Sequence, residues 1–176
     1  MAGSTFEVFE VSSDGADQKG RILDSYSYAM SHGGLIVNSY SLGFSANNSK
    51  KARRVLYLEA LIPDPMLLQE IDIKVFEVTT TETDQIGKIK QARKDATELG
   101  GVLIARHTLS FDAYEKSPAY DALYIVAAIP GDETTERFLG QTLDEIGDQK
   151  LLTAHLNAGQ TALSPSIVFQ KPVFGG

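Results

Sequence analysis

The chain has 176 residues, a formal net charge of −7 and no cysteine. This length allows one large domain or two small ones, and 43% hydrophobic with 22% charged residues is ordinary for a globular protein. The acidic balance argues against nucleic acid as a main partner, because phosphates need clustered Lys and Arg. The absence of cysteine excludes a disulfide framework and thiol chemistry.

The N-terminus and the apolar stretches predict where the protein resides. The first residues, MAGSTFEVFEV, contain no basic region followed by an apolar run, so no signal peptide is predicted. No apolar stretch approaches the length that spans a bilayer. We therefore expect a cytoplasmic protein without a membrane partner.

In chain order, the first half predicts a strand, a helix and a hairpin. The strand covers residues 5–11, which are β-branched and aromatic. Asp17 is placed to cap a helix that ends at Gly33 and Gly34. Two strands follow at 35–45 and 53–62, joined by a polar turn. Asp64 is then placed to cap a short helix with Pro65 at its first position.

The second half predicts the same plan. A strand at 71–79 precedes a helix that Asp84 opens, and strands follow at 102–111 and 119–129. The last of these is almost continuously apolar, which is typical of a central strand. An apolar stripe predicts the buried face of the helix: Ile86, Ile89, Ala92, Ala96 and Leu99. Asp132 is placed to cap a further helix, before a last strand at 150–156.

This common plan reflects an internal duplication. Residues 8–22 (VFEVSSDGADQKGRI) recur as residues 75–89 (VFEVTTTETDQIGKI), with eight of fifteen positions identical at an offset of 67. The same offset relates further pairs, among them Gly33 and Gly100, Leu56 and Leu123, and Tyr57 and Tyr124. One register kept over so many residues predicts a duplicated module.

Each module therefore follows the βαββαβ order of ferredoxin-like folds. The prediction is an α+β chain with modules at 1–70 and 71–157 and a C-terminal strap or tail at 158–176. Antiparallel sheets with helices on one face leave the other face in need of a partner. The internal copy is the expected partner, in a pseudo-twofold pair, and further pairing predicts a homo-oligomer. Whether the copies form one sheet, two facing sheets or a barrel stays open.

The start of each predicted helix resembles that of the ACT domain. The motif Asp-x-x-Gly-x-Ile occupies residues 17–22 and 84–89, and another Gly follows thirteen residues after the motif Gly in both copies. This resemblance covers most of residues 5–157. It implies a small effector, such as an amino acid, bound where two domains meet and near helix-terminal amides. The double Gly and residues 120–133 (YDALYIVAAIPGDE) also resemble GYD-type domains, which form dimeric α+β barrels.

Two sets of residues are candidate binding sites. The repeated loops supply the predicted ligand-binding set: Asp17, Gln18, Gly20, Asp84, Gln85 and Gly87. Their structural interpretation, Asp as helix cap and Gly as loop former, is favoured by capping preference. The predicted partner-binding set combines a basic cluster with the tail: Lys50, Lys51, Arg53, Arg54, Phe169 and Phe174. The cluster suits a phosphate, a solvated hairpin tip or an acidic neighbouring subunit, and the tail could strap the core or add to another chain.

Catalytic patterns are sparse. The three histidines lack metal-ligand spacing, and neither a phosphate loop nor a nucleophile elbow occurs, so no metal or cofactor is predicted. His107 and Asp112 could form an acid–base pair, although a satisfied histidine within a sheet is the favoured interpretation.

Three functions remain as hypotheses. The leading one is a non-catalytic regulatory module that binds a small effector or a partner protein and reports it by a change in assembly. A self-assembling scaffold subunit is the alternative. A small enzyme of the dimeric α+β barrel type, with an apolar cleft, is the third.

Overall fold

The computed structural model describes residues 3–49 and 51–132, which form two modules of the same strand–helix–strand–strand order. The first module contains β1 (Gly3–Ser12), α1 (Gln18–Ser31), β2 (Leu35–Phe44) and β3 (Arg53–Asp64). The second contains β4 (Ile71–Thr79), α2 (Gln85–Glu98), β5 (Val102–Phe111) and β6 (Tyr120–Pro130). The predicted α+β class is confirmed, and these eight elements lie where the sequence pattern predicted them.

Each module forms its own antiparallel three-stranded sheet. Sheet A has the order β1-β3-β2 and sheet B the order β4-β6-β5. The register shifts between Ile36 and Asn38 in sheet A and between Leu103 and Ala105 in sheet B, so even this irregularity follows the repeat. The nearly continuous apolar sequence of β6 fits its central position, because both faces of a central strand are covered.

The segment between the sheets differs from its prediction. Residues 66–70 form no helix, so the short helix expected after Asp64 is wrong. Instead the Leu67 amide donates to the His32 carbonyl at 3.1 Å, and the Gln69 amide donates to the Ser31 carbonyl at 2.8 Å. The last carbonyls of a helix have no partner within the helix, so the connector satisfies the end of α1 and holds β4 close to it.

The first module therefore has the order βαββ in the described residues. In a ferredoxin-like unit the fourth strand would pair with β1, whereas β4 pairs with β6 at the edge of sheet B. The strand at 71–79 thus serves the second module alone.

One large core joins the two modules. It contains side chains of α1, of one face of sheet A and of one face of sheet B, including Val11, Ile22, Met30, Leu58, Ile73, Tyr124 and Val126. A smaller core lies between α2 and the opposite face of sheet B, around Val78, Ala92 and Ile125. The layers therefore follow one another as sheet A, α1, sheet B and α2.

Unlike faces of the two modules meet in this arrangement. A twofold axis would pair the same face of both sheets, whereas here the helix-covered side of sheet A meets the helix-free side of sheet B. The predicted pseudo-twofold pair is wrong, because the short connector delivers β4 directly onto α1. Each described sheet carries its own helix on one face, as expected.

The predicted apolar stripe of α2 is only partly buried. Ala92 and Ala96 pack onto sheet B, whereas Ile86, Ile89 and Leu99 are exposed. The reason is that α2 has a sheet on one side only within the described residues. Neither described helix is both long enough and apolar enough to cross a membrane. The predictions for 132–147, 150–156 and 158–176 fall mostly or wholly outside the described residues.

Candidate functional site

The predicted ligand-binding loops are closed by their own side chains. Asp17 has a left-handed backbone (φ 51°, ψ 62°) and caps α1, its carboxylate accepting a hydrogen bond from the Gly20 amide at 3.0 Å. Asp84 repeats this conformation (φ 59°, ψ 57°) and accepts from the Gly87 amide at 3.0 Å. A side chain at Gly20 would collide with the Asp17 carboxylate. The cap therefore explains why both copies keep Asp and Gly three positions apart.

The repeated glutamines tie the same loops together. Gln18 Nε2 donates to the Gly15 carbonyl at 2.7 Å and to the Ser12 carbonyl at 3.1 Å. In the second copy, Gln85 Nε2 donates to the Thr79 carbonyl at 3.3 Å and to the Glu82 carbonyl at 2.5 Å. These bonds account for the shared residues without a ligand, so ligand binding at the loops stays a prediction.

An open groove of about 320 Å³ lies next to the first loop, between β1 and α1. Its lining combines two aromatic rings with two acids and one base: Phe9, Glu10, Arg21, Asp24, Ser25 and Tyr28. One donor of the Arg21 guanidinium is already used, because its Nε donates to the Ala16 carbonyl at 2.9 Å. This groove is where a small effector of the predicted kind would meet both charge signs.

The basic cluster is spread along the β2–β3 hairpin. Lys51 Nζ lies 3.3 Å from the centroid of the Tyr114 ring, and the Arg53 guanidinium lies 4.4 Å from that of Phe44. Arg54 is held by its backbone, which donates to the Ser13 hydroxyl at 3.0 Å. Of the three described residues of this cluster, Lys51 and Arg53 thus form cation–π contacts. Lys50, Phe169 and Phe174 lie outside the described residues.

His107 has a partner that the sequence did not predict. It is buried on β5, and its Nε2 lies 2.6 Å from the Tyr26 hydroxyl of α1. Burial raises the pKa of Tyr26, because the phenolate would lose its hydration. Asp112 is exposed just beyond the end of β5. The Tyr26–His107 bond therefore joins the two modules, and among the described residues no group of His, Asp and Glu is arranged to hold a metal.

The most distinctive surface is the face of sheet A that points away from α1, here called the outer face. Strand register and pleat place these side chains on it: Phe6, Val8, Glu10, Tyr40, Leu42, Tyr57, Glu59 and Leu61. Phe6, Val8 and Leu42 are 56%, 50% and 51% exposed. Val55, at the hairpin end of the same face, is buried. Large apolar side chains that are exposed together on one sheet face are typical of an interaction site.

The repeat shows what the corresponding face of the other sheet does. At the offset of 67, Phe6, Val8 and Leu42 correspond to Ile73, Val75 and Leu109 of sheet B. Those three are 2%, 4% and 2% exposed, because that face packs on α1. The outer face of sheet A is thus the counterpart of a surface that already buries a helix.

A glutamate–tyrosine pair occurs at the same position in both sheets. Glu10 lies opposite Tyr57 on the outer face, and Glu77 lies opposite Tyr124 in sheet B. The Tyr124 hydroxyl is buried without a hydrogen bond of good geometry in the described part of the chain, and its pKa is raised by burial first and by Glu77 second. Sequence reasoning missed this repeated pair, although Glu and Tyr recur at the offset.

Comparison with protein-family models, with curated proteins and with solved structures found no match for this chain.

Proposed function

We propose that this chain is a non-catalytic protein-interaction module whose outer face on sheet A binds an amphipathic helix. The observation that carries the proposal is the equivalence of this face with the sheet B face that buries α1. The sequence analysis favoured a module that binds a small effector or a partner protein, and this proposal chooses the partner protein.

Shape and polarity favour a helix over a strand as the ligand. In this chain the equivalent face packs on α1, and the Tyr26 hydroxyl lies 2.6 Å from Nε2 of His107. The half-exposed Phe6, Val8 and Leu42 would lose their remaining contact with water on binding. Burial of apolar surface contributes about 25 cal/mol per Å², and aromatic residues are enriched at the centre of interfaces.

The described part of the first module, with the order βαββ, supports this role. Its helix α1 covers one face of sheet A, and the outer face is available to a partner. The βαββαβ assignment and the effector-dependent regulation remain predictions within this proposal. Turnover abolished by His107→Ala or Asp112→Ala would contradict the non-catalytic part.

Because the chain has no cysteine, a single introduced cysteine gives a site-specific probe of the outer face. A photo-crosslinker on Val8→Cys should react with a helical, amphipathic segment, identified by mass spectrometry, in purified protein or in an extract of the source cells. The matched control is Ser117→Cys, on the exposed turn between β5 and β6. The proposal fails if the Val8 probe yields no more crosslinked peptide than the control, or only extended segments.

A further inference from the structure

We infer that the helix bound by the outer face is α2 of a second copy of this chain, which gives head-to-tail assembly. This inference rests on the proposed function and names its partner. It is carried by the way the two modules already pack within one chain and by a set of matched charges.

The internal packing is heterologous, meaning that unlike surfaces meet. The helix of module one packs on the helix-free face of sheet B. Among the described residues this leaves one helix-free sheet face, on sheet A, and one further helix, α2. Repeat arrays extend by using the same neighbour interface again. Applied once more, the relation between the modules places α2 of one copy on the outer face of the next.

The exposed side of α2 corresponds in position to the side of α1 that faces sheet B. At the offset of 67, Ile89, Arg93 and Thr97 stand where α1 has Ile22, Tyr26 and Met30. Those α1 residues are buried, whereas all three α2 residues are exposed. Spacing of four residues keeps them on one helix face.

The differences between the two interfaces compensate in charge. On the sheet, Glu59 replaces Val126, and on the helix Arg93 replaces Tyr26 and Lys90 replaces Leu23. Compared with the internal interface, the outer face thus has an additional acid and α2 has additional bases. One acid on the sheet and two bases on the helix give the two surfaces the complementary charges that favour an interface between copies.

The position of Arg93 can be placed more closely. Its counterpart Tyr26 bonds His107, and the counterpart of His107 on the outer face is Tyr40. Strand register places Tyr40 and Glu59 on the same face of neighbouring strands, and the interaction with Glu59 raises the pKa of Tyr40. Arg93 of a neighbouring copy would therefore arrive beside the Glu59 carboxylate, which favours a charge-assisted hydrogen bond between them.

The charge pair also explains how α2 is selected. The outer face would leave Glu59 unpaired against a purely apolar helix, and an unpaired acid in an interface opposes binding. A helix with a base at the Arg93 position avoids this cost. Glu59 and Arg93 are therefore the residues that make binding specific for a second copy of the chain.

Charge reversal tests this assignment in the full-length chain. Sedimentation velocity over a concentration series should show association of the wild type that weakens as salt rises. Glu59→Arg and Arg93→Glu should each weaken it by about tenfold or more. The double variant, and an equimolar mixture of the two single variants, should recover most of the loss. Asp72→Arg and Lys88→Glu, at exposed positions outside the residues assigned to the two surfaces, should leave association unchanged.

The outcomes separate this inference from the proposed function. A wild type that stays monomeric at every concentration and salt level overturns the inference, as does a double variant that fails to recover. If the Val8 probe then crosslinks a helix of another protein, or the helix predicted for 132–147 of its own chain, the outer face still binds a helix and only the partner was wrong. If the probe finds no helix at all, both fail.

Discussion

Helices α1 and α2 begin with the same Asp–Gly cap and lie on the same face of their own sheets, yet they differ in what lies on their far side. The far side of α1 meets sheet B, so Ile22, Tyr26 and Met30 are buried. The counterparts of these residues in α2 are exposed. The repeat holds the local structure constant, so the difference isolates the effect of a neighbouring layer.

The sheets differ in the same way. The helix-free face of sheet B is apolar and centred on Val126, whereas the outer face of sheet A has Glu59 at that position. At this position the uncovered face carries a charge and the covered face does not, because an unpaired charge is costly only when water is removed. Pleat and register are the same in both modules. The polarity of this position differs, and it follows whether a neighbouring layer covers the face.

The largest expected difference comes from truncating one residue in each helix. Ile22→Ala should lower the free energy of unfolding by about 2–5 kcal/mol, because Ile22 is fully buried between two layers. Ile89→Ala should cost less than about 1 kcal/mol, since Ile89 is 38% exposed. Urea unfolding with unchanged m-values would measure both. Equal losses would contradict the layer order.

A hydroxyl placed on one face and then on the other gives the next largest contrast. Val75→Thr should lower the unfolding free energy by about 1–3 kcal/mol, because it buries a polar group against α1. Val8→Thr conserves shape in the same way and should change stability by less than about 0.5 kcal/mol. Both are measured at protein concentrations low enough to exclude association. A comparable cost at Val8 would mean that the outer face is covered in the isolated chain.

High pH should weaken the contact between the modules. The folded-state pKa of Tyr26 is raised above 10.0 by burial, so above pH 10 the folded protein keeps a proton that the unfolded chain loses. Stability is therefore intact below pH 10 and falls as the pH rises further, by about 1.4 kcal/mol per pH unit. Tyr26→Phe should reduce this slope by that amount. Urea midpoints at several pH values would test it, and an unchanged slope would show that Tyr26 ionises in the folded state.

The caps should contribute least and almost equally. Asp17→Ala and Asp84→Ala should each lower the unfolding free energy by about 1 kcal/mol, because each removes one hydrogen bond to a first-turn amide. Asp17→Asn keeps an acceptor and tolerates the left-handed backbone, so it should cost less.

The same pair of variants tests the small-effector prediction. An amino acid held by the Asp17 charge would raise the melting temperature of the wild type and not of Asp17→Asn. No shift with a panel of amino acids, nucleotides and small carboxylates would leave the loop with its capping role alone.

Most of the elements were predictable because their signals are local. Alternating β-branched residues, Asp at the helix starts and Gly33 and Gly100 with positive φ after the helix ends depend on neighbours within a few positions. The short helix after Asp64 was mispredicted, because its cap and proline signals were outweighed by hydrogen bonds from the connector to the end of α1. The candidate surface was half predictable: the sequence indicated that a sheet face needs a partner, and it did not indicate which face.

The sequence by itself determined the two repeated modules and the order of their elements, since a repeat at one offset preserves the local interactions. Tertiary structure alone decided that unlike faces meet, that Tyr26 reaches His107 across the modules, and that the outer face of sheet A is left exposed. The physical reason is that both sheet faces carry apolar residues in both copies. Hydrophobic burial has no direction, so the choice between like and unlike faces fell to the connector that binds the end of α1.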